Sequence, residues 1–417
     1  MRTVALRGST RRLQRRFLGL MLSITVVPAA FADAWRDVFK QPLVVQAEDG
    51  DPWAQLSMLA DLTAYAPDEP PPGLLFDADG SFVHPRIGLL LDAGLGPRLT
   101  GHLQLQIDRG FDPGEKRRGD VRFDEYYLQA NVIDAARVQL RVGKFATAFG
   151  GWVSRHRTSD NPLISAPVPY EDMTAVADDV LPGSVAGFVN RRNLSENKLS
   201  WLPVVWGPSY ATGASVSGGF GDFDLVIEVK NAAISSRPET WDALEEGFTT
   251  DPTFTGRFAW HPTPEWTLGL SHSRGPYLPD ATQRLLPADQ GVNDYAQTTT
   301  ALDLTFERRQ LQLWAEVMRS TFEVPRVGDA DLVTAFVEVR YKVAPRWWLA
   351  GRWNRTMFDE VEGSTRSWDR HLTRIDIGVG FRQDANLLFK LEYNRGQQSG
   401  GNVNGRDQLA VQAVLTF

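Results

Sequence analysis

The run Gln310-Leu311-Gln312-Leu313-Trp314-Ala315-Glu316-Val317 decides the fold. Leu311, Leu313, Ala315 and Val317 alternate with Gln310, Gln312, Trp314 and Glu316. A period of two puts these sets on opposite faces of an extended strand. Working outward from this run, the same alternation recurs. Val138, Leu140 and Val142 interleave with Arg137, Gln139 and Arg141; Phe223, Leu225, Ile227 and Val229 with Asp224, Val226, Glu228 and Lys230; Ile375, Ile377, Val379 and Phe381 with Arg374, Asp376, Gly378 and Arg382. A soluble β-sandwich would alternate in the same way, so the pattern alone leaves two architectures open.

The connections separate them. Strands are expected at 53–64, 85–94, 98–108, 121–133, 136–146, 207–218, 221–232, 253–262, 265–275, 297–307, 309–319, 332–343, 345–357, 371–383, 386–395 and 406–417. Tight turns at 94–97, 134–135, 219–221, 262–264, 308, 344 and 383–385 alternate with longer polar connections at 65–84, 109–120, 233–251, 276–296 and 358–370. Short turns on one rim and long loops on the other mark a transmembrane barrel with periplasmic and extracellular ends. The reading is therefore all-β: a transmembrane antiparallel β-barrel of about 16 strands over 53–417. Trp260, Trp266, Trp347, Trp353, Tyr341 and Tyr393 fall near strand ends with outward parity, as interfacial girdles do.

The ends of the sequence agree. Arg2, Arg7, Arg11, Arg12, Arg15 and Arg16, the apolar Phe17–Val27 and the small-x-small Ala30-Phe31-Ala32 read as a signal peptide over 1–32. A short periplasmic N-terminal segment, 33–52, would follow. Leu409, Val411, Ala413, Leu415 and Phe417 form a final apolar face; its terminal aromatic resembles the signal that the barrel-assembly machinery reads on outer-membrane proteins.

Composition narrows the function. Hydrophobic residues make up 42% and the mean hydropathy is -0.27, with no apolar run long enough for a spanning helix. The absence of cysteine excludes disulfide frameworks, Cys-ligated metals and thiol catalysis. A net charge of -7 argues against nucleic acid. Six scattered histidines have no metal-ligand spacing, and no nucleophile elbow or phosphate-binding loop occurs. His272 lies beside Ser271 and Ser273, but strand neighbours face opposite ways. Neither enzyme, metal nor cofactor is expected. Segment 33–52 is too short for the plug that fills the lumen of large transporters.

The longest connection, about 147–206, is the third extracellular loop. A segment of that length is either functional or disordered, so an inserted constriction and a surface loop both fit; extra strand could lie in 185–190 or 197–205. Asp124-Glu125-Tyr126-Tyr127-Leu128-Gln129, Val138–Phe145 and Ala148-Phe149-Gly150 resemble the phosphate-selective porin O/P-like superfamily, except that Ala148 stands where that family usually has proline. The resemblance implies a sixteen-stranded, commonly trimeric barrel that passes small anionic or polar solutes.

Inward basic and acidic residues are equal in number by parity, so phosphate specificity does not follow from the wall. Arg141, Arg352, Arg374 and Arg382 are expected to form an arginine-rich sector, with Glu125 and Asp376 among the facing acids. Lys144, Arg155 and Arg157 are the constriction candidates at the base of the third loop. The expected function is passive diffusion of small hydrophilic solutes or ions across the outer membrane of a double-membrane bacterium, in contact with its lipid and as a homotrimer. The alternative is a non-conducting barrel with a structural or partner-binding role.

Overall fold

The alternating segments become strands of one antiparallel sheet in the structure, a computed structural model that describes residues 42–48, 50–67, 80–110, 119–133, 137–191, 201–242, 252–399 and 406–417. In chain order these are β1 (Leu43–Gln46), β2 (Trp53–Pro67), β3 (Phe82–Leu95), β4 (Leu99–Asp108), β5 (Asp120–Ile133), β6 (Val138–Phe145), β7 (Ala211–Phe220), β8 (Phe223–Lys230) and β9 (Thr253–Thr263). Then follow β10 (Trp266–Pro276), β11 (Ala296–Arg308), β12 (Leu311–Val324), β13 (Gly328–Ala344), β14 (Trp347–Phe358), β15 (Leu372–Arg382), β16 (Leu387–Gln398) and β17 (Arg406–Thr416). From β2 onward each strand pairs with the next, and β17 pairs back with β2 from Gln408↔Pro67 to Thr416↔Leu59. Sixteen strands thus close a barrel. At the seam the Phe417 N–H donates to Met58 O at 3.1 Å, and the Met58 N–H donates to Phe417 O at 3.0 Å.

All sixteen expected segments are strands, with three departures from the reading. The N-terminal segment contributes an extra strand, β1, which pairs with Trp53–Leu56 and continues the sheet beyond the end of β17. The connection expected over 320–331 is a tight hairpin instead: β12 runs on to Val324, and β13 starts at Gly328. Alternation persists there, because Phe322, Val324, Ala330 and Leu332 are buried while Arg319 and Asp331 face outward. Residues 185–190 hold a short helix, Val185–Val189, rather than strand; of 197–205, Trp201 alone forms an isolated bridge, to Ala177, and 197–200 lie outside the described residues.

The sheet is hydrophobic on its outer face. Leu225, Ile227, Leu302, Val317 and Ile377 are exposed, while Glu228, Asp303, Glu316 and Asp376 on the same strands are buried inside. This inversion is what hydrocarbon outside and polar matter inside require of a closed barrel, whose backbone groups are all paired within the sheet. At the tight-turn rim, Trp266 packs on Phe306 and Trp347 on Phe381, each with ring centroids 4.5 Å apart. Such rings sit at the membrane interface.

One irregularity redirects side chains. Gln104 pairs with Glu125 but Leu105 pairs with Phe123, so Asp124 is an extra residue in β5. A bulge of this kind shifts the strand's parity by one. Glu125 and Tyr127 point inward on one side of it, and Arg122 on the other.

Because Ile377 is exposed halfway along β15, Ile377→Arg is expected to lower the folding stability by about 2–4 kcal/mol. Reversible unfolding in lipid vesicles measures this, and a change within error of zero would contradict an outward, lipid-facing Ile377.

Candidate functional site

The described parts of the third loop, residues 146–191 and 201–210, follow β6 and lie against the inner wall. Two glycines shape the loop's entry. Gly143 has φ +139, and a Cβ there would stand 2.2 Å from the Tyr126 carbonyl. Gly150 has φ +75, and a Cβ would meet Tyr170 Oη and Glu316. Only glycine suits such a left-handed, close-packed position. Ala148 also has a local reason: its N–H donates to Glu228 Oε1 at 3.1 Å, a bond that proline cannot make.

Beyond the entry, the loop is tied to β12–β16 by buried charges. Lys390 Nζ donates to three loop carbonyls, those of Thr158 (2.6 Å), Asn161 (2.7 Å) and Leu163 (3.1 Å). Glu392 accepts from the Ser165 N–H at 3.0 Å and also from the Ile164 N–H and Ser165 Oγ. Arg352 donates through Nε to Asp376 and through Nη1 to Glu338, both at 2.8 Å. Its Nη2 reaches the carbonyls of Ser165 and Ala166 at 3.0 Å each. Arg374 holds Glu171 and the Ala166 carbonyl, with its Nε 2.9 Å from Asp376 Oδ1. Tyr170 Oη donates to Glu316 at 3.0 Å, and Asn354 Oδ1 accepts from the Val168 N–H at 3.1 Å.

The expected arginine-rich sector is therefore divided. Arg352 and Arg374 come together with Asp376, but all three are buried beneath the loop, the two arginines paired with Asp376, Glu338 and Glu171 rather than lining open water. Arg382, near the tight-turn rim, lies outside this cluster. Arg155, a constriction candidate, is buried too; it donates to Glu338 at 2.5 Å and stacks over Trp314 at 4.3 Å. Lys144 is a correction. It alternates with the exposed Leu140 and Val142, pairs in register with Tyr126, and stands 3.8 Å from Asp242 on the outer side of the wall. The parity of β6 excludes it from the lumen.

Arg141, Glu125 and Arg157 gather elsewhere, on the β4–β6 wall. Arg141 lies 4.4 Å above the Tyr127 ring and donates to Gln129 at 3.0 Å. Glu125 accepts from the Ala146 N–H at 2.9 Å, and half-exposed Arg157 comes within 3.8 Å of it. Between β2–β5 and the loop lies a cavity of about 190 Å³, lined by Asp61, Arg86, Arg122, Asp124, His156 and Arg157 among others. Arg122 donates to both oxygens of Asp108 (2.6 and 3.1 Å) and to Asp124 (2.7 Å). The sequence reading did not place Arg122 in the lumen, because parity carried across the β5 bulge assigns it to the lipid side. Burial holds His156 below the usual imidazole range. Neutral, with Nδ1 donating to the Val153 carbonyl at 2.6 Å, it accepts from Tyr210 Oη at 2.7 Å through Nε2.

Toward the long-loop rim, Trp206, Trp241, Tyr277, Phe322, Phe336 and Trp368 join one apolar cluster drawn from several loops and strand ends. His272 faces outward and bonds Thr300 at 2.9 Å, whereas Ser271 is buried inside and accepts from the Gly150 N–H. That separation keeps His272 from pairing with Ser271.

A closed sixteen-stranded antiparallel barrel, apolar outside and charged within, is a porin-like fold. No family model matches the chain, and no curated protein sequence matches it. Among solved structures it is similar to OmpF of Salmonella typhi in complex with daunomycin (TM-score 0.56, 12% identity, 89% of this chain and 100% of that one). It is likewise similar to the anion-selective porin from Comamonas acidovorans (0.54, 11%, 90% and 100%) and to the outer membrane channel DcaP of Acinetobacter baumannii (0.53, 10%, 89% and 99%). At these identities the likeness is one of fold.

Lys390→Met removes one buried cation that serves three loop carbonyls, while its long apolar side chain keeps most of the volume. It is expected to expose the loop between Thr158 and Ser165 to protease in the folded barrel, where the parent chain resists. Limited proteolysis with mass analysis reads this, and an unchanged cleavage pattern would rule out the tether.

Proposed function

We propose that this chain is an outer-membrane porin for passive diffusion of small hydrophilic solutes, with the third loop as its constriction. The observation that carries this is the tethering of segment 155–171 to β12–β16, which leaves the cavity against β2–β5 as the polar gap beside the loop. Gradient-driven permeation needs a water-lined, selective gap and no covalent chemistry, and the lining offers charged and aromatic groups of the kind that filter solutes. The lining is mixed in sign, with Asp61, Asp108, Asp124 and Glu171 against Arg86, Arg122 and Arg157. That composition supports selection by width and by local pairing rather than by a general phosphate field. The sequence motifs resemble those of the phosphate-selective porin O/P-like superfamily; the transported solute is a separate matter.

The same reading includes removal of segment 1–32 on export, recognition of the terminal Phe417 by the assembly machinery, and a homotrimer. Support for the last is that OmpT of Vibrio cholerae, a similar barrel (TM-score 0.51, 10% identity, 87% of this chain and 99% of that one), is described in a trimer form. A second reading has an observation of its own. The apolar cluster formed by Trp206, Trp241, Trp368 and their neighbours occupies the long-loop end and favours a barrel that conducts nothing.

Planar-bilayer recording separates the two. Purified, folded protein is expected to give small, ohmic steps, which grow in the Lys390→Met variant as the loop leaves the wall. No conductance from either protein would support the non-conducting barrel, and a large parent conductance unaffected by the variant would remove the loop from the filter.

A further inference from the structure

The cavity beside the third loop contains polar groups whose bonding is incomplete, and they have one character. Asp61↔Arg86, Thr63↔His84 and Tyr65↔Phe82 are register partners on β2 and β3, so Arg86, His84 and Tyr65 form a short inward ladder. Arg86 spends Nε on both oxygens of Asp61, at 3.0 and 3.1 Å; its two Nη groups have no hydrogen-bond partner among the described residues. Among the described residues, His84, 2% exposed, has neither ring nitrogen bonded, and Tyr65 Oη is buried without a partner. Across the cavity, Trp152 Nε1 is an unpartnered donor as well. Buried polar groups are satisfied as a rule, so three such side chains, His84, Tyr65 and Trp152, beside the partly exposed edge of Arg86 ask for an occupant.

The acids of the same cavity are already engaged. Asp61 accepts from Arg86, Thr63 and Thr158; Asp108 from Arg122 and the Gly110 N–H; Asp124 from Arg122; Glu171 from Arg374 and the Ala166 N–H. What remains open is a guanidinium edge, an imidazole, a phenol and an indole N–H, which are donors or can donate. They call for an acceptor with negative charge, and a planar carboxylate matches the guanidinium fork. Four carboxylates nearby disfavour a dianion such as hydrogen phosphate. The rest of the lining includes Leu59, Ile164 and the faces of Trp152 and Tyr170, which suit an apolar body. At about 190 Å³ the space lies below the roughly 300–1,000 Å³ of pockets for drug-sized ligands, so the occupant is small.

We propose that this cavity is a binding site for a small organic monocarboxylate, its carboxylate on Arg86, His84 and Tyr65 and its apolar body against the third loop. The inference rests on the porin reading, in which the site is a station along the pore, but its test does not require current. Equilibrium dialysis of radiolabelled benzoate against the full-length protein folded in detergent measures occupancy directly. Arg86→Lys keeps the charge and loses the fork; it is expected to weaken binding about tenfold, and Tyr65→Phe by about two- to tenfold. Arg86→Gln alone would strand Asp61, so Asp61→Asn/Arg86→Gln removes the pair together and is also expected to lose at least tenfold. Heat-modifiable gel migration confirms that each barrel is folded. Equal retention of benzoate by the parent and the folded double variant overturns the site. Competition by phosphate or by glucose as effective as that by unlabelled benzoate overturns the ligand class. A barrel that binds benzoate but passes no current leaves the site standing and removes the channel.

Discussion

Arg352 is buried at the inner wall with an acid on either side, Glu338 and Asp376, and two loop carbonyls at its remaining edge. Moving a guanidinium out of water is costly, and the cost is offset only when every donor finds a good acceptor. Here the wall alone does not complete the set: the carbonyls of Ser165 and Ala166 finish it. The same holds for Lys390, whose bonds all go to loop carbonyls, and for Glu392, which accepts from loop N–H groups and a loop hydroxyl. Wall and loop are each incomplete without the other. This mutual satisfaction fixes the third loop on the β12–β16 side, and every description of the lumen follows from that choice of side.

A consequence is that the charged residues divide by role. Those under the loop act as structural donors and acceptors with little access to water. Those on β2–β5 keep access to a cavity, and the bulge at Asp124 adds to their number by turning Arg122 inward. The barrel is thus asymmetric in function although its strands are regular. An opposite-sign pair such as Arg257–Asp303, at 2.5 and 2.8 Å, belongs to the first kind.

The barrel was legible in the sequence because its cause is local and repeated. Hydrocarbon outside forces alternation on every strand, and Leu311–Val317 carries the signal as plainly as Leu225–Val229. The site was legible only in part. Parity located Arg352, Arg374 and Asp376 inside but could not tell that the loop would cover them, since covering depends on contacts more than 180 residues apart, such as Arg352 with Ser165. Lys144 was misplaced because its closeness to the loop base outweighed its parity. Arg122 was missed because a single extra residue shifts the register, and a bulge leaves no mark in composition. His84 and Tyr65 stand out only once their lack of partners is visible, which no pattern of residue types reveals.

The wall grips the third loop mainly by its backbone. Lys390 and Arg352 hold carbonyl oxygens of Thr158, Asn161, Leu163, Ser165 and Ala166, groups that every amino acid supplies. Side chains along this stretch are therefore freer to vary than their burial suggests, provided the chain keeps its path. A lineage could exchange the residues that face the cavity, Arg157 and Ile164 among them, and so alter its lining without redesigning the mooring. Attachment and lining are coded in different atoms of the same segment, and selection can act on one while the other stays constant.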